Sequence, residues 1–236
     1  MNLWVTVKEN IGFVMVSIGI VAALSLAARF AERFLPGKRT VSIAKRVSIV
    51  GICSAIAAVL HMLDFPLPFI APDFYKLDFS ELPVLLCGFY LGPSAAVSCE
   101  GIKILLKLLL KGTSTAFVGD LANFVVGCAF VLPATIVYCI RKSRKGSIQG
   151  LIAGTLVLTV FGSAFNAIYL IPKFADLYGI PLETIIAMGG AINAGVQDLT
   201  TFVILCVAPL NLLKSIAVSV LTELLYKRVA RPLFGK

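Results

Sequence analysis

Residues 117–145 read FVGDLANFVVGCAFVLPATIVYCIRKSRK, and this stretch decides the fold class. An apolar run from 117 to 140 ends abruptly in the basic cluster Arg141, Lys142, Arg144 and Lys145. A helix of about 20 apolar residues crosses the hydrocarbon core of a bilayer. The pattern recurs along the chain: further apolar runs cover 11–30, 47–63, 82–91, 94–110, 148–171 and roughly 202–226. Of 236 residues, 59% are hydrophobic and 14% charged, against roughly a quarter charged in a soluble domain. Lipid offers backbone groups no hydrogen-bond partners, so the runs must be helices or strands of a closed barrel. None shows the in–out alternation of barrel strands. The expectation is an all-α, polytopic membrane helical bundle. The run 82–91, which ends at the Gly92-Pro93 turn, is too short to cross alone and needs protein around it.

The remaining charge is sorted by position. Arg29, Arg33, Lys38, Arg39, Lys45 and Arg46 lie between the first two runs, against the single acid Glu32. A second basic cluster spans 141–145, and Lys227, Arg228, Arg231 and Lys236 close the chain. Basic loops stay cytoplasmic. All three clusters fall on one side if the N-terminus is outside, the C-terminus is inside and the chain crosses seven times. The acids Asp64, Asp73, Asp78 and Glu81 then gather outside with Lys76. The net charge of +9 is accounted for by this asymmetry, with anionic lipid as its partner and no need for nucleic acid. Ahead of residue 11 only Lys8 is a cation and no small-residue cleavage site stands out, so the first run is expected as a retained helix.

Several chemistries find no footing. No Walker-type Gly-rich loop occurs, so any energy must come from an ion gradient or a partner. The six cysteines, Cys53, Cys87, Cys99, Cys128, Cys139 and Cys206, sit inside apolar runs and form no CxxC pair. They read as small buried hydrophobes. The one histidine, His61, reads as an interfacial or packed residue, and no metal site is expected. Asp198 and Glu223 have no evident partners, and no catalytic constellation stands out, so an enzyme is not expected.

Polar groups inside the oily runs are the informative minority, because each is expensive in lipid and tends to face a cavity or a partner helix. Glu100, Lys103 and Lys107 share one face of the fourth run; Asn123 follows Asp120 by three residues; Asn166 lies in the sixth run. Asn211 and Lys214, three apart, share a face of the last. A lone Asn often serves only as glue between helices. A lysine that deep in a membrane helix needs a polar destination. These features describe a small membrane-embedded binding protein with an outward-facing pocket.

Six stretches in order carry a resemblance: FPLPF (65–69), KLDFSELP (76–83), GFYLGP (88–93), GDLANF (119–124), KSRKG (142–146) and PLNLLK (209–214). Together they resemble the substrate-binding S components of energy-coupling factor (ECF) transporters, and among these the riboflavin-specific RibU family. The last three are similar to that family's G-E-x-A-N-F, K-T-R-K-G and P-F-N-L-I-K motifs, with Asp120 where the family has Glu. The resemblance runs from about Lys45 to Tyr226. It departs at the first run, which is extra to the six-helix family pattern, and at 173–208, which reads as a long loop.

The resemblance implies a six-helix S-component core at 41–236, preceded by an extra transmembrane helix and basic linker at 1–40. It implies a plasma-membrane protein that binds riboflavin from outside, as a transported substrate rather than a cofactor, with flavin mononucleotide a second candidate. A membrane T component and two cytoplasmic ATPases would supply the energy. The imide edge of the flavin would meet Asn166, Asn211 and Lys214, with Asn123 nearby and Phe69, Leu77, Phe79 and Leu91 as candidate walls. An amide both donates and accepts, matching an imide. Lys103 is expected to matter less for the ligand, and Asp78 with Glu81 reads as a capping box opening the third helix. Gly51, Ala55 and Val59 lie four apart, with Ser54 and Ala58 in a parallel row, and small residues at that spacing admit another helix. The T component would dock there. An S component for another vitamin and a solitary ion-coupled secondary transporter remain alternatives.

Overall fold

The computed structural model describes residues 11–36 and 41–234. Lys8, Lys38, Arg39 and Lys236 lie outside the described residues. The first described elements are α1 (Ile11–Arg33) and α2 (Ile43–Met62). Two-residue strands β1 (Phe65–Pro66) and β2 (Lys76–Leu77) then pair antiparallel, Phe65 opposite Leu77. Next come α3 (Glu81–Leu91), α4 (Pro93–Lys111), α5 (Val118–Ile140) and α6 (Arg144–Phe165). After a π-helical turn at Asn166–Leu170 follow α7 (Ile171–Tyr178) and α8 (Leu182–Gly190). The short α9 (Leu199–Phe202) and a second π turn (Val203–Val207) lead into α10 (Ala208–Phe234).

Among the described residues, five helices are long and apolar enough to cross a membrane. The charges of α4 keep it out of that set, although its 19 residues match the others in length. The short run is the centre of the bundle. In α3, Val84, Leu85, Cys87 and Phe89 are buried and pack with Cys99, Phe130, Val131, Leu158 and Val218 in the main core. An 11-residue helix spans only about 16 Å, so α3 survives at membrane depth because protein surrounds it. It turns into α4 at Gly92, whose φ of +101° suits a residue without a Cβ, and Pro93 opens α4 where its missing N–H is harmless.

Helices α5 and α6 approach closely at two glycines. A Cβ on Gly150 would lie 2.4 Å from the Ala134 carbonyl oxygen, and one on Gly154 would lie 2.6 Å from that of Phe130. Small residues are what let the two backbones approach. Helix α1 lies against α4 and α5, burying Ala28 beside Val97, Ile104, Phe124 and Cys128. At its C-terminal end Glu32 accepts a hydrogen bond from Ser94, which in turn accepts one from Arg46 of α2 at 2.7 Å.

Three sequence expectations need correction. The stretch 173–208 is not a long loop. The sixth crossing runs on through its π turn to Tyr178, and α7 and α8 fold onto the end of the bundle that carries the loop between α2 and α3, burying Ile171 and Ile185 with Ala71, Val196 and Phe202. Asp198 and Glu223 both have partners. The Asp198 carboxylate caps α9 by accepting from the Thr201 N–H at 2.7 Å, and Glu223 accepts from Ser147 at 2.7 Å beside Arg144 at 3.3 Å. Asp78 and Glu81 form no capping box. Ser80 is the N-cap of α3 and makes no side-chain cap bond, because both carboxylates are drawn into ion pairs with lysines of other helices.

Candidate ligand-binding site

A cavity of about 280 Å³ opens at one end of the bundle, walled by α3, α4, α5, α6, α10 and the loop between α2 and α3. Asn123, Asn166, Asn211 and Lys214, four positions singled out in the sequence, all line it. Three separate crossings, α5, α6 with its π turn, and α10, therefore converge on one polar space. The second π turn ends at Val207, one helical turn ahead of Asn211, and the first begins at Asn166 itself. Such turns interrupt helices most often at functional sites.

Each polar group has a specific setting. Asn166 donates from Nδ2 to the Gly162 carbonyl at 2.7 Å and accepts at Oδ1 from the Tyr75 hydroxyl at 2.8 Å. Lys214 Nζ donates to Asp78 Oδ2 at 3.0 Å and to Glu81 Oε1 at 3.2 Å. Asp78 also accepts from the Ser80 N–H at 2.8 Å and lies 3.4 Å from His61 Nδ1. Burial alone would push the Asp78 carboxyl up; Lys214 and His61 overcome it and hold that carboxyl well below the usual carboxylate range. Behind this layer Lys103, fully buried, donates to Glu100, to Ser80 Oγ at 3.0 Å and to Asn123 Oδ1 at 3.4 Å, with Glu81 at 3.6 Å. Lys107 pairs with Asp120 at 2.6 Å. The Asn211 Nδ2, buried, has no hydrogen-bond partner among the described residues.

The apolar walls are not those expected. Phe74, Tyr75, Val126, Leu158, Leu170, Phe174 and Leu210 line the cavity. Phe69 is 72% exposed and points away. Leu77 is buried and Phe79 packs against the main core and Phe65, so neither reaches the cavity. Leu91, at the far end of α3, lines a different recess with Glu32 and Arg46. The periodicity of an apolar segment does not say which of its faces meets a cavity, which is why Tyr75 and Phe174 went unmarked. The acids Asp78 and Glu81 carried a usable signal. Lysines inside apolar helices require counter-ions, and these loop acids were among the few available. Lys103, expected to matter less, is a structural member of the same network.

A larger recess of about 370 Å³ lies between α1, α4 and α5, with Ile18, Val21, Ile104, Leu105, Leu108 and Phe124 among its walls. It offers almost no polar groups to orient a ligand, whereas specific sites combine apolar walls with a few placed polar ones. The polar cavity is therefore the candidate site.

The proposed docking row divides in two. Gly51, Ala55 and Val59 are exposed on the outer face of α2, while Ser54 and Ala58 are buried within the bundle. The six cysteines are free, and no group of acids, cysteines and histidine suited to a metal occurs among the described residues.

Comparison with known proteins places this geometry. Residues 45–226 match the family described as ECF transporter, substrate-specific component. The chain is 36% identical over 186 residues to the riboflavin transporter RibU of Staphylococcus aureus (strain TCH60), covering 79% of this chain and 90% of that one. It is 31% identical over 183 residues to the riboflavin transporter FmnP of Bacillus subtilis (strain 168), covering 77% and 90%. Among solved structures, the S component of a bacterial ECF transporter superposes with a TM-score of 0.63 at 34% identity, over 81% of this chain and 99% of that one. The family match begins at Lys45, so α1 precedes it. The polar cavity thus sits inside the matched region, and the chain belongs to the substrate-specific components of ECF transporters, multi-pass membrane subunits of transport rather than enzymes.

Proposed function

We propose that this chain captures riboflavin from outside the cell and passes it on by docking on a membrane T component powered by two cytoplasmic ATPases. The observation that carries the reading is the convergence of Asn123, Asn166, Asn211 and Lys214 on one cavity whose other walls include Phe74, Tyr75 and Phe174. A flat isoalloxazine ring needs apolar faces and a few hydrogen-bonding groups at its imide edge, and this cavity supplies both. The names of the similar riboflavin transporters support the same ligand. Riboflavin here is cargo and not a cofactor; flavin mononucleotide is a second ligand to be tested. The protein is expected to purify yellow, and riboflavin titrated into flavin-free protein should lose its fluorescence. Fluorescence unchanged by folded protein would direct the search to another vitamin.

The partner reading rests on the exposed row Gly51, Ala55 and Val59 of α2. Uptake should require the T component, both ATPases and ATP. Uptake by this chain alone, driven by an ion gradient, would make it a solitary carrier instead. The orientation we infer is N-terminus out and C-terminus in, with 1–40 an extra helix and linker ahead of the binding domain at 41–236. It rests on the basic residues at 141–145 and on exposed Lys76 near the opposite, acidic loop. Single cysteines at Lys76 and Tyr178 should react with an impermeant thiol reagent in intact cells, and one at Lys145 should not. The reverse pattern would invert the topology.

A further inference from the structure

Asn211 Nδ2, a donor, and Glu81 Oε2, an acceptor, are buried at the cavity with no hydrogen-bond partner among the described residues. Buried polar groups are seldom left unpaired, and each orphan costs about 1–3 kcal/mol. A third group is partly committed. Lys214 has three N–H bonds, of which Asp78 and Glu81 accept two. Asn211 and Lys214 lie on one face of α10, and Glu81 is bonded to that same lysine through its other oxygen, Oε1. Both Asp78 oxygens are already used, by Ser80, Lys214 and His61. Glu81, which opens α3, is therefore the acid of this layer with an oxygen to spare. Asp120 Oδ2 is likewise unpaired, but its carboxylate is tied to Lys107 and not to the Asn211–Lys214 face.

Resting on the riboflavin reading above, we propose that Glu81 is a ligand-contacting residue that accepts the imide N–H of the flavin, between Asn211 and Lys214, which donate to the two flanking carbonyls. The imide edge presents acceptor, donor, acceptor in a row. The protein presents donor, acceptor, donor. An edge of this kind needs an acceptor at its centre, and neither an ammonium nor the Nδ2 of an asparagine can accept. The carboxylate also explains how a half-buried lysine serves an uncharged ligand, since Glu81 and Asp78 offset its charge and leave a single N–H to offer. The substrate class follows: an uncharged ring bearing a free imide.

The test pairs riboflavin with riboflavin methylated on the imide nitrogen, titrated by fluorescence quenching into wild-type, Glu81→Ala and Glu81→Gln proteins. Wild type should prefer riboflavin by roughly 5- to 150-fold, the effect of stranding one buried hydrogen-bonding group. Glu81→Ala should bind riboflavin more weakly by a similar factor, and its preference between the two ligands should collapse toward one. Glu81→Gln, with one oxygen to serve both Lys214 and the ligand, should show an intermediate preference, and it carries the test should the alanine variant not fold. A preference as large as that of wild type in the folded variants would overturn the assignment, because a purely structural role for Glu81 weakens both ligands alike. Absence of riboflavin binding to wild type would instead overturn the reading of the site itself.

Discussion

The cavity and the outer face of α2 break the rules of a membrane protein in opposite ways. The cavity and the layer behind it gather Asp78, Glu81, Glu100 and Lys103, all buried where charge is costly; Lys103 pairs with Glu81 and Glu100, and Lys214 with Asp78 and Glu81. The α2 face leaves Gly51, Ala55 and Val59 exposed, and a Cβ added at Gly51 would touch nothing within 4 Å. One region has more polar interaction than a bundle needs for stability, and the other has less packing than a helix can make. The first is suited to hold a polar ligand and the second to receive another helix. Because they share no side chain, recognition and coupling should be separable by mutation.

The comparison breaks most visibly at Ala55. Ala55→Trp should abolish uptake with the partner subunits present while leaving flavin affinity unchanged, since the bulk obstructs helix approach and lies outside the cavity. Normal uptake by this variant would remove the docking role from α2. Next in size is Lys103→Met. It strands Glu100 and weakens the support of Glu81 in a buried network, which should lower stability by about 3–5 kcal/mol. Thermal unfolding in detergent reads this out. The exposed Ile52→Ala should stay within about 0.5 kcal/mol by the same measurement.

Within the cavity, Asn211→Ala and Lys214→Ala should each weaken riboflavin binding by roughly 5- to 150-fold. Lys214→Ala should also lose stability, because Asp78 and Glu81 both lean on it. Wild-type affinity in both folded variants would move the site elsewhere. The smallest effect sharpens the geometry. A Cβ at Gly162 would lie 3.1 Å from Asn211 Nδ2 and 3.6 Å from Val126. Gly162→Ala should therefore nudge that amide off its rotamer, at about 0.5–1.5 kcal/mol, and weaken binding about 2- to 12-fold with little loss of stability.

Much of the candidate site is legible in the sequence because polarity in lipid is conspicuous. Asn123, Asn166, Asn211 and Lys214 stood out against apolar neighbours, and all four line the cavity. The walls were not legible, because every segment that forms them is apolar on all sides. Phe69 and Leu91 resemble wall residues in composition, yet one is solvent-facing and the other lies by a separate recess. The small-residue rows on α2 show the same limit, since spacing alone did not distinguish the exposed Gly51 and Ala55 from the buried Ser54 and Ala58.

Hydropathy, run length and charge are additive along the chain, so the sequence by itself determined that this is a helical membrane bundle, where its long apolar segments lie and which polar residues are out of place. Partnership is not additive. Whether Glu81 caps its own helix or pairs with Lys214 depends on a residue 133 positions away, and whether α3 is stable at all depends on helices before and after it. In a medium with no water to satisfy stray groups, only the assembled bundle could assign each buried charge its partner. It was also only the bundle that left Asn211 Nδ2 and Glu81 Oε2 without one among the described residues.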